Sequence, residues 1–501
     1  MKKFGVVLFL LAAVGMAAAQ TNPATVTHEM SLTDCIQQAL THNFDVQIQR
    51  YNPQISLYNL NGAYSGYDPT FSLSGQHQYN NGGAEFQSGQ RIAGSQYNDD
   101  IYSSGFNGGT PWGMSYNLSG NVSSTAGKNY TASTNLFFPI QNSFGQVGLS
   151  LNQPLLKNLW IDSTRLTIRI NKNRLQYSEQ GVRGQIITSI TDVENAYYEL
   201  IYAQENVKVQ QEALDLAQTQ LDQDKQRVQI GSLSPLDVQQ DESQVATSKA
   251  NLITAQNSLS IAENTLKNLL TDDYSQWHST DIQPTAALTA PVQLFDLQDS
   301  WNQGMTQRPD LLQARLNVAA QGIQLKFIYN QLFPALDLIG SYGFNGTGRQ
   351  FNDTFNQINQ ADRSFYTYGA QLSMPLSNLG PRNQMKSGKV SLKQLLLQLK
   401  QLEQNVMVQI DNAVKQAQSS YEGVQATRQA RIYAEAALDA EQKKYAVGKS
   451  TTFTVLQLQK NLTTARSQEI RALADYNEAI ANLAAKEGAT LERNGLKLEI
   501  K

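Results

Sequence analysis

The chain has 501 residues, 41% of them hydrophobic and 16% charged, with a formal net charge of −3. This balance supplies no basic patch for nucleic acid, and a single cysteine, Cys35, excludes a disulfide framework within the chain. Past the first twenty residues no run of about 18 apolar residues offers a transmembrane helix, and a mean hydropathy of −0.41 describes a water-facing, Gln- and Asn-rich protein.

Met1-Lys2-Lys3, the apolar run Phe4 to Leu11 and Ala17-Ala18-Ala19-Gln20 form the three regions of a secretory signal, expected over residues 1–19. No cysteine follows the expected cleavage site, so a lipid anchor there is not expected. A first structural unit is expected over 20–270. It begins with a helix over 31–66, on which Cys35 sits beside Leu32 and Ile36 as a buried small hydrophobe. From about 69 to 80, Phe71, Leu73, Gly75, His77 and Tyr79 alternate with polar partners, which predicts a strand. The Gly/Ser/Asn-rich stretch from 80 to 146 reads as an outer loop, and the alternation of Met114, Tyr116, Leu118, Gly120 and Val122 leaves room in it for an extra hairpin. Val147, Leu149 and Leu151 mark a second strand over about 145–154.

A long helix is expected over 162–230, because Ile186, Val193, Leu200, Val207, Leu214, Leu221 and Val228 occupy successive heptad positions, with Ala196, Ala203 and Ala217 opposite. At about 1.5 Å per residue it would be a rod roughly 100 Å long. Gly231 is its expected C-cap, Ser234-Pro235 opens the return helix over 235–270, and the polar stretch 271–295 reads as a linker.

The pattern then recurs over 296–487: a helix over 296–331, strands over about 335–346 and 365–375 around a loop at 346–364, a long helix over 382–447 and a return helix over 452–487. The second long helix carries the stripe Ile410, Ala417, Val424, Leu438, Tyr445 and ends at Gly448; residues 488–501 form a tail. Residues 32–75 repeat without a gap at 297–340, sharing Asp34/Asp299, Asp45/Asp310, Arg50/Arg315, Pro69/Pro334 and Gly75/Gly340. A period this long is a whole structural unit. Pro69 and Pro334 stand where helix becomes strand, Pro154 and Pro375 where strand becomes helix, positions that suit a residue without an N–H. Strands with one small polar face and one apolar face fit a membrane barrel with a wet lumen, and four cannot close one. Three chains would supply twelve, with each open edge completed by a neighbour.

Duplicated strands, proline joints, heptad helices and glycine-tipped returns resemble the outer-membrane efflux protein family, the TolC-like channels. The motifs that carry this are Leu32-Thr33-Asp34, Arg308-Pro309-Asp310-Leu311, Phe333-Pro334-Ala335-Leu336, Leu372-Ser373-Met374-Pro375-Leu376 and Val447-Gly448. The resemblance implies a mixed α and β fold, with four membrane β-strands plus long coiled-coil α-hairpins per protomer. It also implies a homotrimer with a 12-stranded barrel set in outer-membrane lipid, above a periplasmic helical tunnel. A periplasmic adaptor and an inner-membrane transporter would dock at the tips around Gly231, Ser232, Gly448 and Lys449. The expected gate comprises Asp237 and Tyr445, joined by a hydrogen-bonded latch, with Ser450 where the family has an arginine and Thr454 and Gln457 where it has an acidic ring. Asp237 also suits a first-turn capping role.

No enzyme, cofactor or metal site is expected. Gly448-Lys449-Ser450 resembles the end of a phosphate loop, but Lys443 stands where a glycine is needed. His28, His42, His77 and His278 lack metal-ligand spacing. Asn117, Asn121 and Asn129 head Asn-x-Ser/Thr triplets that fit surface loops. The rival from another class is a trimeric coiled-coil structural or adhesive protein, and the cargo of a channel is not legible.

Overall fold

The computed structural model describes residues 26–83, 85–87, 89–92, 94–131 and 136–496. The expected signal, and residues 497–501 of the expected tail, lie outside them. The first elements are β1 (Val26–Met30), α1 (Leu32–His42), α2 (Phe44–Ala63), β2 (Thr70–Asn81), β3 (Glu85–Gln87), β4 (Gln90–Ile92), β5 (Gln96–Gly109), β6 (Ser115–Thr131) and β7 (Leu136–Pro154). Then come α3 (Ser163–Gln229), α4 (Pro235–Leu270), α5 (Tyr274–Trp277) and β8 (Thr280–Pro284). The second half has α6 (Leu297–Gln307), α7 (Pro309–Asn330), β9 (Ala335–Gly348), α8 (Phe351–Gln360), β10 (Ser364–Ser373), α9 (Leu379–Ala446), α10 (Thr452–Glu487) and α11 (Thr490–Arg493).

Contacts divide the chain into two units: residues up to Asn43 with Ser189–Val292 and Ala417–Ala481, and Phe44–Thr188 with Gln293–Gln416 and the chain from Asn482 on. The second unit holds an antiparallel sheet of six strands in the order β10-β9-β7-β6-β5-β2. Four strands were expected, so the sum of twelve built on four does not follow. The two additional strands, β5 and β6, are the hairpin for which 80–146 left room, and they run along the full length of β2 and β7. Their Gly, Ser and Asn content reads as loop, yet small polar residues also suit the wet face of a strand. Pro69 and Pro334 immediately precede β2 and β9, Pro154 ends β7, and Pro375 follows β10.

Residues directly across neighbouring strands share a face, so the register sorts the sheet into rows. Thr70, Asn107, Asn117, Ser150, Ser341 and Thr367 form one polar row, and Phe71, Phe106, Leu118, Leu149, Tyr342 and Tyr366 form the next, on the opposite face. The expected loop 346–364 instead contains α8. It opens with a Gln350/Asp353 capping box and ends at Ala361, whose φ is 55°. The helix lies on the apolar face, its Phe351 ring 5.5 Å from that of Tyr102. A Cβ at Gly346 would sit 2.3 Å from the Thr354 carbonyl oxygen, so only glycine admits the helix there.

The helices expected over 31–66 and 296–331 are each broken, at Asn43 and Arg308, where ψ is 125° and 124°. These positions are equivalent in the duplication. Arg308 is held extended by Pro309, and the Asn43 amide donates to the Leu269 carbonyl at 3.2 Å.

In the first unit, Val193, Leu200 and Leu221 of α3 are buried with Ala196, Ala203 and Ala217, and Ala417, Val424, Leu438 and Tyr445 of α9 are buried as well. The expected linker 271–295 contains α5 and β8, which pairs in parallel with β1. Buried Tyr197 secures that pair by donating to the Met30 carbonyl at 3.1 Å and accepting from the Ala286 N–H. Cys35 is fully buried, and burial pushes its thiol up to about 12, consistent with a packing role.

Candidate functional site

Both long helices of the first unit end in the same device. Gly231 and Gly448 adopt φ of +76° and +73°, which bends the chain out of the helix at a residue without a Cβ. Gly231 N–H donates to Val228 and Ser232 N–H to Arg227; Gly448 N–H donates to Tyr445 and Lys449 N–H to Lys444. This is a Schellman closure made twice. Each return helix is then capped by a hydroxyl: Ser234 accepts from the Leu236 N–H and Thr451 from the Thr454 N–H. Ser232 adds a bond from its hydroxyl to the Arg227 carbonyl, and Lys449 is exposed.

Beneath the tips lies a buried polar cluster that the sequence reading did not assemble. The Tyr445 hydroxyl lies 2.7 and 2.8 Å from the two carboxylate oxygens of Asp224, and 2.9 Å from the Thr452 hydroxyl. Gln220 donates to the same carboxylate at 2.7 Å. The Arg227 guanidinium lies 4.4 Å above the centre of the Tyr445 ring and 3.8 Å from Asp224. The expected latch from Tyr445 to Asp237 is therefore corrected, because the hydroxyl's partner is Asp224. Asp224 falls three residues after Leu221, on the heptad seam of α3 that faces the core, whereas Asp237 is half-buried in the first turn of α4.

Asp241 of α4 completes the cluster. Both Asp224 and Asp241 are fully buried, and neither oxygen of Asp241 meets a donor. Burial first, then the Asp224 carboxylate and Asp237, push the Asp241 carboxyl up to about 7. Two adjacent buried carboxyls cannot both ionise cheaply, which favours the protonated form of Asp241. Burial also raises the Tyr445 hydroxyl, with Asp224 acting in the same direction. The heptad step contains the missed signal: Asp241, Ser248, Ala255 and Ala262 follow at intervals of seven, all buried. In the duplication the counterpart of Asp241 is Leu458, an apolar residue.

The remaining expected gate residues lie apart from this cluster. Ser450 donates to Glu441 at 2.6 Å, and Lys444, with Ser450, holds that carboxyl below its usual range. Thr454 is half-buried at the cap, and Gln457 is exposed and bonded along its own helix to Asn461. Among the described residues no group of three or more His, Cys, Asp or Glu could hold a metal.

Comparison with known proteins bears on the fold and the family. The chain is 27% identical over 312 residues to the outer membrane protein TolC of Escherichia coli K12, covering 60% of each chain. It is 26% identical over 291 residues to TolC of Salmonella enteritidis, covering 58% of each. The chain thus spans about three fifths of the length of these two relatives. Its fold is that of the outer membrane protein VceC of Vibrio cholerae, with a TM-score of 0.65 at 16% identity over 91% of this chain and 96% of that one. These likenesses assign the protein to the outer membrane, with its long helices on the periplasmic side. The profile described as "Outer membrane efflux protein" matches residues 114–271 and 302–489, more than half of the sequence, and the chain belongs to that family.

Proposed function

We propose that the protein is the passive exit duct of a tripartite efflux pump or a type I secretion system. Three copies close a β-wall in the outer membrane, and their helices form a periplasmic tunnel. It performs no chemistry and holds no cofactor. A periplasmic adaptor meets the tips at Gly231, Ser232, Gly448 and Lys449, and an inner-membrane transporter supplies the cargo. Opening requires the return helices to move apart at the tips, which sets the Tyr445–Asp224–Thr452 bonds against the adaptor's binding energy. Asp237, Ser450, Thr454 and Gln457 line the approach to that point in this reading. Pro69, Pro154, Pro334 and Pro375 act as the rigid joints between tunnel and wall.

The observation that carries the reading is the pair of adjacent rows in which all six strands present an apolar residue to one side and a small polar residue to the other. A sheet of this kind separates lipid from water. The test is reconstitution of the purified oligomer into a planar bilayer. Discrete conductance steps of uniform size are expected; a folded, inserted oligomer that passes no current would leave an anchored coiled coil without transport activity.

A further inference from the structure

We infer that the assembled wall contains eighteen strands rather than twelve, with the β5–β6 hairpin of each protomer forming part of the membrane wall itself. The inference rests on the trimeric duct proposed above and deepens it by setting the bore.

The hairpin is not an appendage above the sheet. β5 pairs with β2 from Thr70↔Asn107 to Asn81↔Gln96, and β6 pairs with β7 from Ser115↔Asn152 to Thr131↔Leu136. β2 and β7 nowhere pair with each other. Phe106 and Leu118 stand between Phe71 and Leu149 in the apolar row, and Asn107 and Asn117 stand between Thr70 and Ser150 in the polar row. A hairpin held in water would have no physical reason to continue these two rows, one apolar and one polar, between β2 and β7.

The free edges support the same conclusion. All five pairings are antiparallel, so the outer strands β2 and β10 run in opposite directions. β10 of one copy can therefore meet β2 of the next in the antiparallel sense that an even-numbered membrane barrel needs, leaving no unpaired edge in lipid. Barrel diameter grows roughly linearly with strand number, so the bore would be about half again as wide as that of a twelve-stranded wall.

The test uses the full chain in outer-membrane vesicles. A Ser74→Cys/Ser103→Cys pair replaces two hydroxyl oxygens that lie 2.7 Å apart across β2 and β5. Single spin labels at Phe106→Cys and Leu118→Cys, and at Asn107→Cys and Asn117→Cys, read the environment of the two faces. The expected result is a disulfide that forms in the assembled channel without loss of conductance. Labels at 106 and 118 are expected to be reached by oxygen but not by a water-soluble nickel chelate, with the opposite at 107 and 117. Chelate access at 106 and 118 in a conducting channel, or no disulfide, would overturn the eighteen-strand wall. Native mass spectrometry reads the copy number separately. A mass other than three would sink the trimer, and with it the number eighteen, while the labels still report whether the hairpin is in the wall.

Discussion

Tyr445 is the residue on which the tip cluster turns. Its hydroxyl gives the buried Asp224 carboxylate a charge-assisted bond that water cannot replace. Tyr445→Phe keeps the ring beneath Arg227 and removes the bond, at an expected cost of roughly 1.5–3 kcal/mol. Hydrogen exchange of the amides around Gly448 should accelerate at least tenfold. Unchanged exchange would show that Gln220 and Thr452 suffice to hold Asp224. Asp241 sets a pH dependence. With a folded value of about 7 against an ordinary 3.8, the folded tip keeps a proton that the unfolded chain releases between roughly pH 4 and pH 7. Stability therefore falls as pH rises through that window and is level on either side of it. The charged groups around it are Asp224 on α3, which Arg227 also approaches, and Asp237 on its own helix. Asp241→Asn should flatten the thermal melting profile between pH 5 and pH 8; a slope as steep as the parent's would assign the proton elsewhere. A third expectation concerns Thr454 and Gln457, which put no carboxylate where TolC-like channels are expected to carry an acidic ring. Di- and trivalent cations applied from the helical side should block conductance feebly, and Gln457→Asp should strengthen the block several-fold.

The tips act as whole elements, and their glycines show why. A Cβ at Gly231 or Gly448 would meet nothing within 4 Å, so replacement by alanine is opposed only by the left-handed backbone, at about 1–2 kcal/mol. Gly231→Asn should cost less than Gly231→Ala, since asparagine visits that region more readily. Equal melting temperatures for the two variants would mean that the tip rearranges. These hairpins were legible because their signals are local: α4 and α10 span 235–270 and 452–487, the ranges set by Ser234-Pro235, Thr451 and the heptad stripes. The break at Arg308 was available from Pro309, whereas Asn43 has no proline after it and gives no sign of its break. β1 and β8 pair across some 250 residues, a contact no local pattern encodes. β5 and β6 were obscured by composition. A strand whose wet face carries Asn107, Asn117 and Ser119 reads as loop until its partners reveal that the other face carries Phe106 and Leu118. The cluster under the tips was legible in principle, since walking the heptads of α3 and α4 onto Asp224 and Asp241 marks both as core positions.

At the scale of the whole molecule, the row pattern fixes which side of the wall meets lipid, and this can be tested without reference to gating or partners. Leu149 lies in the apolar row between Leu118 and Tyr342, and Ser150 in the polar row between Asn117 and Ser341. The two are adjacent on β7, so they share a strand and nearly the same depth and differ chiefly in face. The amphipathic helix α8 covers the same apolar face farther up the strands, over Gly145 and Gly346, so Leu149 falls below it in the band left open. Leu149→Arg should therefore cost roughly 2–4 kcal/mol near the middle of the bilayer and deplete the assembled protein from outer membranes. Ser150→Arg should insert at close to the parent's level and shift the channel toward anions, because a guanidinium ring has been added to a wet lumen. Comparable loss from both variants would mean that neither face meets water. Comparable tolerance would mean that neither meets lipid, and the sheet would then have to be a covered, soluble one.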